Sequence, residues 1–287
     1  MSNEIILGDC IAAMKAMRPK TARLVVADPP YYNVLREADW DTQWSSQADY
    51  VHWSMAWIKE AMRVLVPGGL LYCFGQTGKR EHVFLHLMSK ASSVYAYHDL
   101  IIWDRVVGYN DRGDSFTPAY EMALVLRKDG AEPVFDKDVV REPYDKATIK
   151  SYMNDRRYKN LEARLEHLNK GKKATNLWRV PSLKGSAREK CGHPSQKPLA
   201  LIDRIVRSSS AEGDLVLDPF VGSGTTSIIA SRLGRNCVGI ERSEDYVAMA
   251  RQRLAFEETL RAEEVAIEAP KVTRKRRPAV AFVPAEP

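Results

Sequence analysis

The chain of 287 residues holds only four cysteines, Cys10, Cys73, Cys191 and Cys237, and no two of them make a C-x-x-C pair. That scatter argues against a disulfide framework and against a zinc site, so the four read as reduced, mostly buried thiols and no metal is expected. No run of about eighteen apolar residues occurs, which removes the expectation of a membrane-spanning helix. The opening MSNEIILGDC lacks a basic region followed by an apolar stretch, so no secretory signal is read and a cytoplasmic protein is expected. No internal repeat is visible. With 45% hydrophobic and 28% charged residues, the composition is that of an ordinary globular protein, one large domain or one domain with an insertion.

Charge, by contrast, is present and uneven. Lys and Arg number 43 against 37 Asp and Glu, a net charge of +6. The balance is −3 over residues 1–140, +8 over 141–190, −3 over 191–269 and +4 over 270–287. Concentrated positive charge suits a polyanionic partner such as nucleic acid, and equally a solvated helix face and a frayed end.

Residues 1–140 alternate strand-like and helix-like runs, the pattern of an α/β fold with a mainly parallel sheet. EIIL, RLVVA, LLYCFG, HDLIIWD and YEMALVLR read as strands; CIAAMKAM and ADYVHWSMAWIKEAMRVL read as helices, the second stopped by Pro67, Gly68 and Gly69. From 141 to 190 the strand alternation lapses. There Tyr158, Leu161, Leu165 and Leu168 stand at helical spacing among basic residues, with Gly171 as the stop. The pattern resumes over 191–269 with a helix at PLALIDRIVRSS, a strand at DLVLD, a helix from Thr225, a strand at NCVGIE and a last helix capped by Ser243. The Pro- and Arg-rich 270–287, with Arg274 and Arg277, is expected to be disordered.

Three apolar runs end in an acid: Asp28 after LVVA, Asp218 after LVL and Glu241 after VGI. In open α/β sheets ligands bind beyond the carboxyl ends of the strands, so these acids are expected to line one crevice. Pro29 and Pro30 stop the first strand and fix the direction of Asp28, beside the rings of Tyr31 and Tyr32. In PFVGSGTT, Gly222 and Gly224 allow a tight turn with close ligand approach, and the helix that follows offers free N–H groups to a carboxylate. Glu241 lies about twenty residues on, where an acid of a nucleotide-binding fold accepts from ribose hydroxyls. A Walker A loop is excluded because no lysine follows these glycines, and Ser223 lacks the spacing of a nucleophile elbow. A dinucleotide fingerprint would place a third Gly or Ala where Ser227 stands. A purely structural turn is the competing reading of GSGTT alone.

DPPYYN, HPSQKP at 193–198 and LDPFVGSGTT at 217–226 together resemble the signature motifs of the β class of amino DNA methyltransferases. Catalytic motif, target-recognition segment and cofactor loop follow in that family's permuted order, over roughly residues 4–250. REPYD, NLWRVPSLKG and HPSQKP are similar to the RsrI-type adenine enzymes of restriction systems. The resemblance implies a Rossmann-like methyltransferase domain, its sheet mainly parallel with helices on both faces. It divides into a catalytic half (1–140), a basic recognition segment (141–190), a cofactor half (191–269) and a basic tail (270–287). It implies a methyl transfer from S-adenosylmethionine, leaving S-adenosylhomocysteine, to N6 of an adenine flipped out of duplex DNA, without a covalent enzyme intermediate. Asp28 and the Pro29 carbonyl would hold the amine, while Pro30 shapes the motif and Tyr31 stacks on the base. Asp9, Lys197, Asp218, Pro219, Phe220, Gly222, Ser223, Gly224, Thr225, Thr226 and Glu241 are the implied cofactor contacts, with Lys197 facing the cofactor carboxylate. Arg156, Arg157, Lys172, Lys173, Arg179, Lys184 and Arg188 are the implied DNA contacts, with Trp178 in the same stretch. His193 reads as a structural histidine. Asn33 stands one place later than the family's usual Asn, which alters the flank of the base pocket. A homodimer and a cognate restriction endonuclease are candidate partners. Asp at position 28 favours adenine because the cytosine enzymes usually carry Ser there; N4 of cytosine and an inactive DNA-binding relative are the alternatives.

Overall fold

The computed structural model describes residues 3–35, 37–77, 82–109, 111, 113–155, 157 and 159–268, with side chains to 260. Its elements are β1 (Asn3–Leu7), α1 (Cys10–Ala16), β2 (Ala22–Ala27), α2 (Asp39–Thr42), α3 (Gln47–Val64), β3 (Leu65–Gly75), α4 (Val83–Val94), β4 (Ala96–Asp104) and β5 (Tyr120–Arg127). There follow α5 (Lys146–Met153), α6 (Leu161–Asn169), β6 (Leu177–Arg179), α7 (Leu199–Ser209), β7 (Leu215–Asp218), α8 (Thr225–Arg232), β8 (Asn236–Glu241) and α9 (Glu244–Glu268). Arg156, Tyr158 and the basic tail lie outside the described residues.

The strands form a single sheet in the order β1-β8-β7-β2-β3-β5-β4-β6. β1, β8, β7, β2 and β3 pair in parallel, β5 runs antiparallel to both β3 and β4, and β6 pairs in parallel with β4. The period of two along β2 divides the core. Val25 and Ala27 face Met14, Trp57 and Leu87 from α1, α3 and α4. Leu24 and Val26 face Leu201, Ile205 and Ile229 from α7 and α8. Each such side chain contributes about 1.5–3 kcal/mol on burial, which is why LVVA has no polar member. Helices therefore cover both faces, as the sequence pattern implies.

From β7 the chain passes through α8 to β8 on one side, whereas from β2 it passes through α3 to β3 on the other. The order thus reverses between β7 and β2, and a crevice opens at their carboxyl ends. The structure adds elements to the sequence reading. α2, α4 and α5 were not anticipated, and the 141–190 stretch does not leave the sheet: after α5 and α6 it supplies β6, whose Trp103↔Trp178 register extends the edge. Three residues are too few for a strand period to show in sequence. Gly171 stops α6 with φ +79°, where a Cβ would stand 2.6 Å from the Glu142 carbonyl oxygen.

Candidate active site

At the β7–β2 crevice lies a cavity of about 640 Å³, within the usual range for a ligand pocket. Asp9 and Asp28, just after β1 and β2, and Asp218 and Glu241, the last residues of β7 and β8, all line it, so the strand-end acids do share one crevice. Pro29, Pro30, Tyr31, Lys197, Pro219, Phe220, Gly222, Ser223, Thr225 and Thr226 line it too.

One side of the cavity is built by β7, α8 and β8. Glu241 Oε2 accepts from the Gly222 N–H at 3.0 Å, and Oε1 accepts from Arg242 N at 2.9 Å and Ser243 N at 3.0 Å. A carboxylate has about four acceptor positions, so one remains on Oε2. Gly222 has φ +46°, and a Cβ there would meet His193 Nε2 at 3.0 Å. Gly224, at φ +80°, caps α8; a Cβ there would meet the Ala250 Cβ at 3.1 Å, so its role is to let α8 pack on α9. The first N–H groups of α8 have no carbonyl partners within the helix. Phe220 packs edge-on to Trp57 at 5.2 Å and beside Trp53 at 5.8 Å, and Trp53 joins the cavity wall. An acceptor, free backbone donors and an aromatic wall fit a ligand that carries ribose hydroxyls, a carboxylate and a planar base.

Asp218 accepts from Phe220 N at 3.0 Å, and burial pushes its carboxyl up to about 7. Asp9 Oδ1 accepts from Ala12 N at 2.9 Å and so caps α1 while lining the cavity. His193 packs 4.4 Å from the Tyr246 ring; burial, then the charges of Lys197 and Arg253, push it down to about 4, so it is neutral. The structural reading of this histidine agrees with that geometry.

The other side carries DPPYYN. The Tyr31 hydroxyl lies 2.6 Å from Asp28 Oδ1 and 3.0 Å from Glu121 Oε2. Lys197 Nζ donates to both Asp28 oxygens at 2.7 Å and stands 3.4 Å from Glu121 Oε2. Arg105 Nη1 closes the group, 3.0 Å from Glu121 Oε1. Burial alone would lower Lys197, and the Asp28 and Glu121 carboxylates outweigh it, so the ammonium is held above its ordinary value. Burial, then Asp28 and Glu121, hold the Tyr31 phenol well above its own. Lys197 thus differs from expectation: it reaches Asp28 in DPPYYN, because two carboxylates, one buried and one half-buried, attract a buried cation more strongly than an open cavity does.

Asp41, buried at 1% exposure, was missed by sequence reasoning. Its carboxylate accepts from Tyr31 N and Val34 N at 2.6 Å and from Leu35 N at 2.7 Å, binding the loop after β2 to α2. Burial pushes Asp41 up and these N–H groups oppose it, with a net rise. The Tyr50 hydroxyl donates to the Pro30 carbonyl at 2.7 Å, and Tyr32 packs on Tyr50 at 5.6 Å between ring centres. Tyr32 therefore supports the loop from below, with φ +64°, and Asn33 follows at φ +58°.

Three of the basic residues are engaged in ion pairs. Arg157 pairs with Asp155 at 2.8 Å, Lys172 with Glu142 at 3.3 Å and Arg179 with Asp104 at 3.7 Å. Trp178 is buried and bonds the Thr175 carbonyl, so it belongs to the core. Lys173, Lys184 and Arg188 are exposed, and Ser182 and Leu183, immediately before Lys184, line the cavity. Among the described residues no group of three or more His, Cys, Asp or Glu gathers as metal ligands, and no helix is long and apolar enough to cross a membrane.

A solved complex of M1.HpyAVI with S-adenosylmethionine shares the fold, with a TM-score of 0.58 at 23% identity over 88% of this chain and 99% of that one. The type II methyltransferase M1.MboII of Moraxella bovis is 32% identical, covering 86% of this chain and 95% of its own. The DNA adenine methyltransferase YhdJ of Escherichia coli K12 is 30% identical, covering 91% and 86%. The N6/N4 methyltransferase model, described as DNA methylase, matches residues 22–252, so the chain that unites Asp28 with the Gly222 loop in one crevice belongs to this DNA methylase family.

Proposed function

We propose that this protein methylates N6 of adenine at a specific site in duplex DNA, with S-adenosylmethionine as the donor. The observation that carries the reading is the single cavity in which Asp28 and Pro29 meet Glu241 and the α8 N-terminus. Bound there, S-adenosylmethionine supplies an activated methyl group. Glu241 would hold its ribose, the Gly222–Thr226 loop its carboxylate, and Phe220 with Trp53 its base. The names borne by the M1.HpyAVI complex and YhdJ support donor and target.

An exocyclic amine is a poor nucleophile because its lone pair is delocalised into the ring. Two acceptors that hold both N–H groups favour a pyramidal nitrogen, and Asp28 Oδ2 with the Pro29 carbonyl serve as that pair. Asp28 Oδ1 is spent on Lys197 and Tyr31, while Oδ2 has one acceptor position left after Lys197. Holding both reactants in one geometry is worth several kcal/mol of the barrier. The target must leave the duplex, at a cost of a few kcal/mol. Stacking on Tyr31 would return about 1–3 kcal/mol of it. Exposed Lys184 and Arg188 would contact phosphates beside the cavity mouth.

The test is expression in a host without DNA methylation, followed by sequencing of its genomic DNA with a method that detects modified bases. N6-methyladenine confined to one short motif is expected. N4-methylcytosine would move the target to the other amine of this family, and unmodified DNA would leave a binding protein on a methyltransferase fold.

A further inference from the structure

Asp28 is part of a half-buried four-member charge cluster drawn from distant parts of the chain. Asp28 follows β2, Arg105 follows β4, Glu121 lies in β5 and Lys197 precedes α7. Two carboxylates meet two cations, so the cluster is neutral. Glu121 is 6% exposed and Lys197 8%. The Lys197 ammonium has three protons: two go to Asp28 Oδ1 and Oδ2, and the third faces Glu121 Oε2. The single Tyr31 proton lies between Asp28 Oδ1 and Glu121 Oε2. Glu121 itself is anchored on its far oxygen by Arg105, whose guanidinium rests 4.4 Å from the Tyr109 ring centre. Without the Glu121 charge, nothing in the cluster would draw Lys197 away from Asp28, and the remaining position on Oδ2 would be lost to the ammonium.

We propose that Glu121 is a positioning residue for methyl transfer: it holds the Lys197 ammonium and the Tyr31 hydroxyl so that Asp28 Oδ2 keeps an acceptor position for the target amine. This rests on the reading of Asp28 as amine acceptor. Glu121 lines the same cavity, but its oxygens are engaged by Arg105, Lys197 and Tyr31, so it acts through Lys197 and Tyr31. It is also the group that offsets the charge of Lys197, which otherwise makes Asp28 a weaker acceptor for the proton released once the amine is methylated.

The experiment is single-turnover methyl transfer from tritiated S-adenosylmethionine to unmethylated duplex DNA, comparing the full-length protein with Glu121→Gln, Lys197→Met and the double variant. E121Q is expected to lose about 10- to 100-fold in the transfer rate, the scale of one hydrogen-bond network to a charged group, with donor affinity kept. Because Glu121 acts in part through Lys197, the losses of the two single variants should combine to less than their product in the double variant. Should E121Q not fold, Glu121→Asp retains the charge at a greater distance and is expected to slow transfer less than E121Q, again with donor affinity kept. A wild-type rate in E121Q, a loss of donor affinity in step with the rate, or losses that multiply in the double variant would each overturn the proposal. A wild-type protein that transfers no methyl would overturn the function itself, whereas an active wild type with an indifferent E121Q removes only the role of Glu121.

Discussion

Asp41 offers a direct perturbation of the catalytic loop at a distance from the reacting atoms. Asp41→Asn retains the size of the side chain and one acceptor oxygen. Its Oδ1 can still accept from Tyr31 N, but an amide NH2 then faces the Val34 and Leu35 N–H groups, at positions where the carboxylate accepts at 2.6 and 2.7 Å. Two hydrogen bonds to a charged group are lost, each worth about 1.5–3 kcal/mol, and donor opposes donor in their place. The loop from Tyr31 to Leu35 should loosen by about 3–6 kcal/mol, because α3 and β2 on either side are independently packed. Every 1.36 kcal/mol is about tenfold in rate, so a loss expressed at Asp28 and Tyr31 slows transfer by about 100-fold or more. Amide hydrogen exchange reads the same free energy without activity. Val34 and Leu35 amides protected in the wild type should exchange faster in D41N by a comparable factor, while donor affinity changes little. Unaltered exchange at both amides would refute the assignment of Asp41 as the tie of this loop, whatever the activity.

Asp28→Ala should lower transfer by about 10²-fold or more while donor affinity, measured by equilibrium dialysis, stays near wild type; substantial turnover would remove the acceptor role. Gly222→Ala puts a Cβ 3.0 Å from His193 Nε2 at φ +46°, so it should cost about 1–2 kcal/mol of stability and weaken donor binding, both read by thermal unfolding with and without donor. Asp218, with a folded-state value of about 7 against 3.8, binds its proton more tightly folded than unfolded. Its contribution to stability is therefore complete below about pH 4 and is lost as pH rises through 7. Relative to Asp218→Asn, the wild type should lose about 1–3 kcal/mol between pH 5 and 8 in urea titrations, and a constant difference would contradict a buried, proton-holding carboxyl. Charge reversal at Lys184 and Arg188 should reduce the salt slope of DNA binding by about one per phosphate contact, and reversal at Lys172, already paired with Glu142, by less; equal slopes would exclude the 184–188 loop from the interface.

What the sequence discloses follows from how local each signal is. Asp28, Asp218 and Glu241 end apolar runs on neighbouring parallel strands, so their meeting in one crevice follows from strand patterning alone. Gly222 and Gly224 are legible as turn residues, although only the packing separates the loop at the cavity from the α8–α9 contact at Ala250. Asp41 carries no pattern, since its role depends on a loop folding back ten residues onto Tyr31. Glu121 reads as one polar position in a strand, and what makes it consequential is Arg105, 16 positions away across the β4–β5 pair, and Lys197 beyond both. The Lys197–Asp28 contact joins residues 169 positions apart, and no local period reports such a pair. The basic segment is the opposite case: its charge count is obvious, but ion pairs with Asp155, Glu142 and Asp104 engage part of it internally.

The order of the motifs along the chain has a physical counterpart in that contact. β2 and β7 pair in parallel at the switch point, with Val25 opposite Leu217, so the strands that lead to Asp28 and to the Gly222 loop are neighbours although nearly 190 residues separate them in the chain. Ladder bonds and apolar contacts fix that neighbourhood without regard to which half comes first. They do not fix the last few ångströms between Asp28 and the α8 loop. Lys197 does, for it stands just before α7, its carbonyl accepts from Thr225 Oγ1 at 3.3 Å at the start of α8, and its ammonium closes on Asp28 at 2.7 Å. One residue thereby ties the acceptor carboxylate to the helix that begins the cofactor loop's own element. Lys197→Met keeps the backbone link to Thr225 and removes the ammonium that closes on Asp28, so it should loosen Asp28 from the α8 loop, and K197M should lose more transfer activity than E121Q, which leaves the Asp28 contact in place.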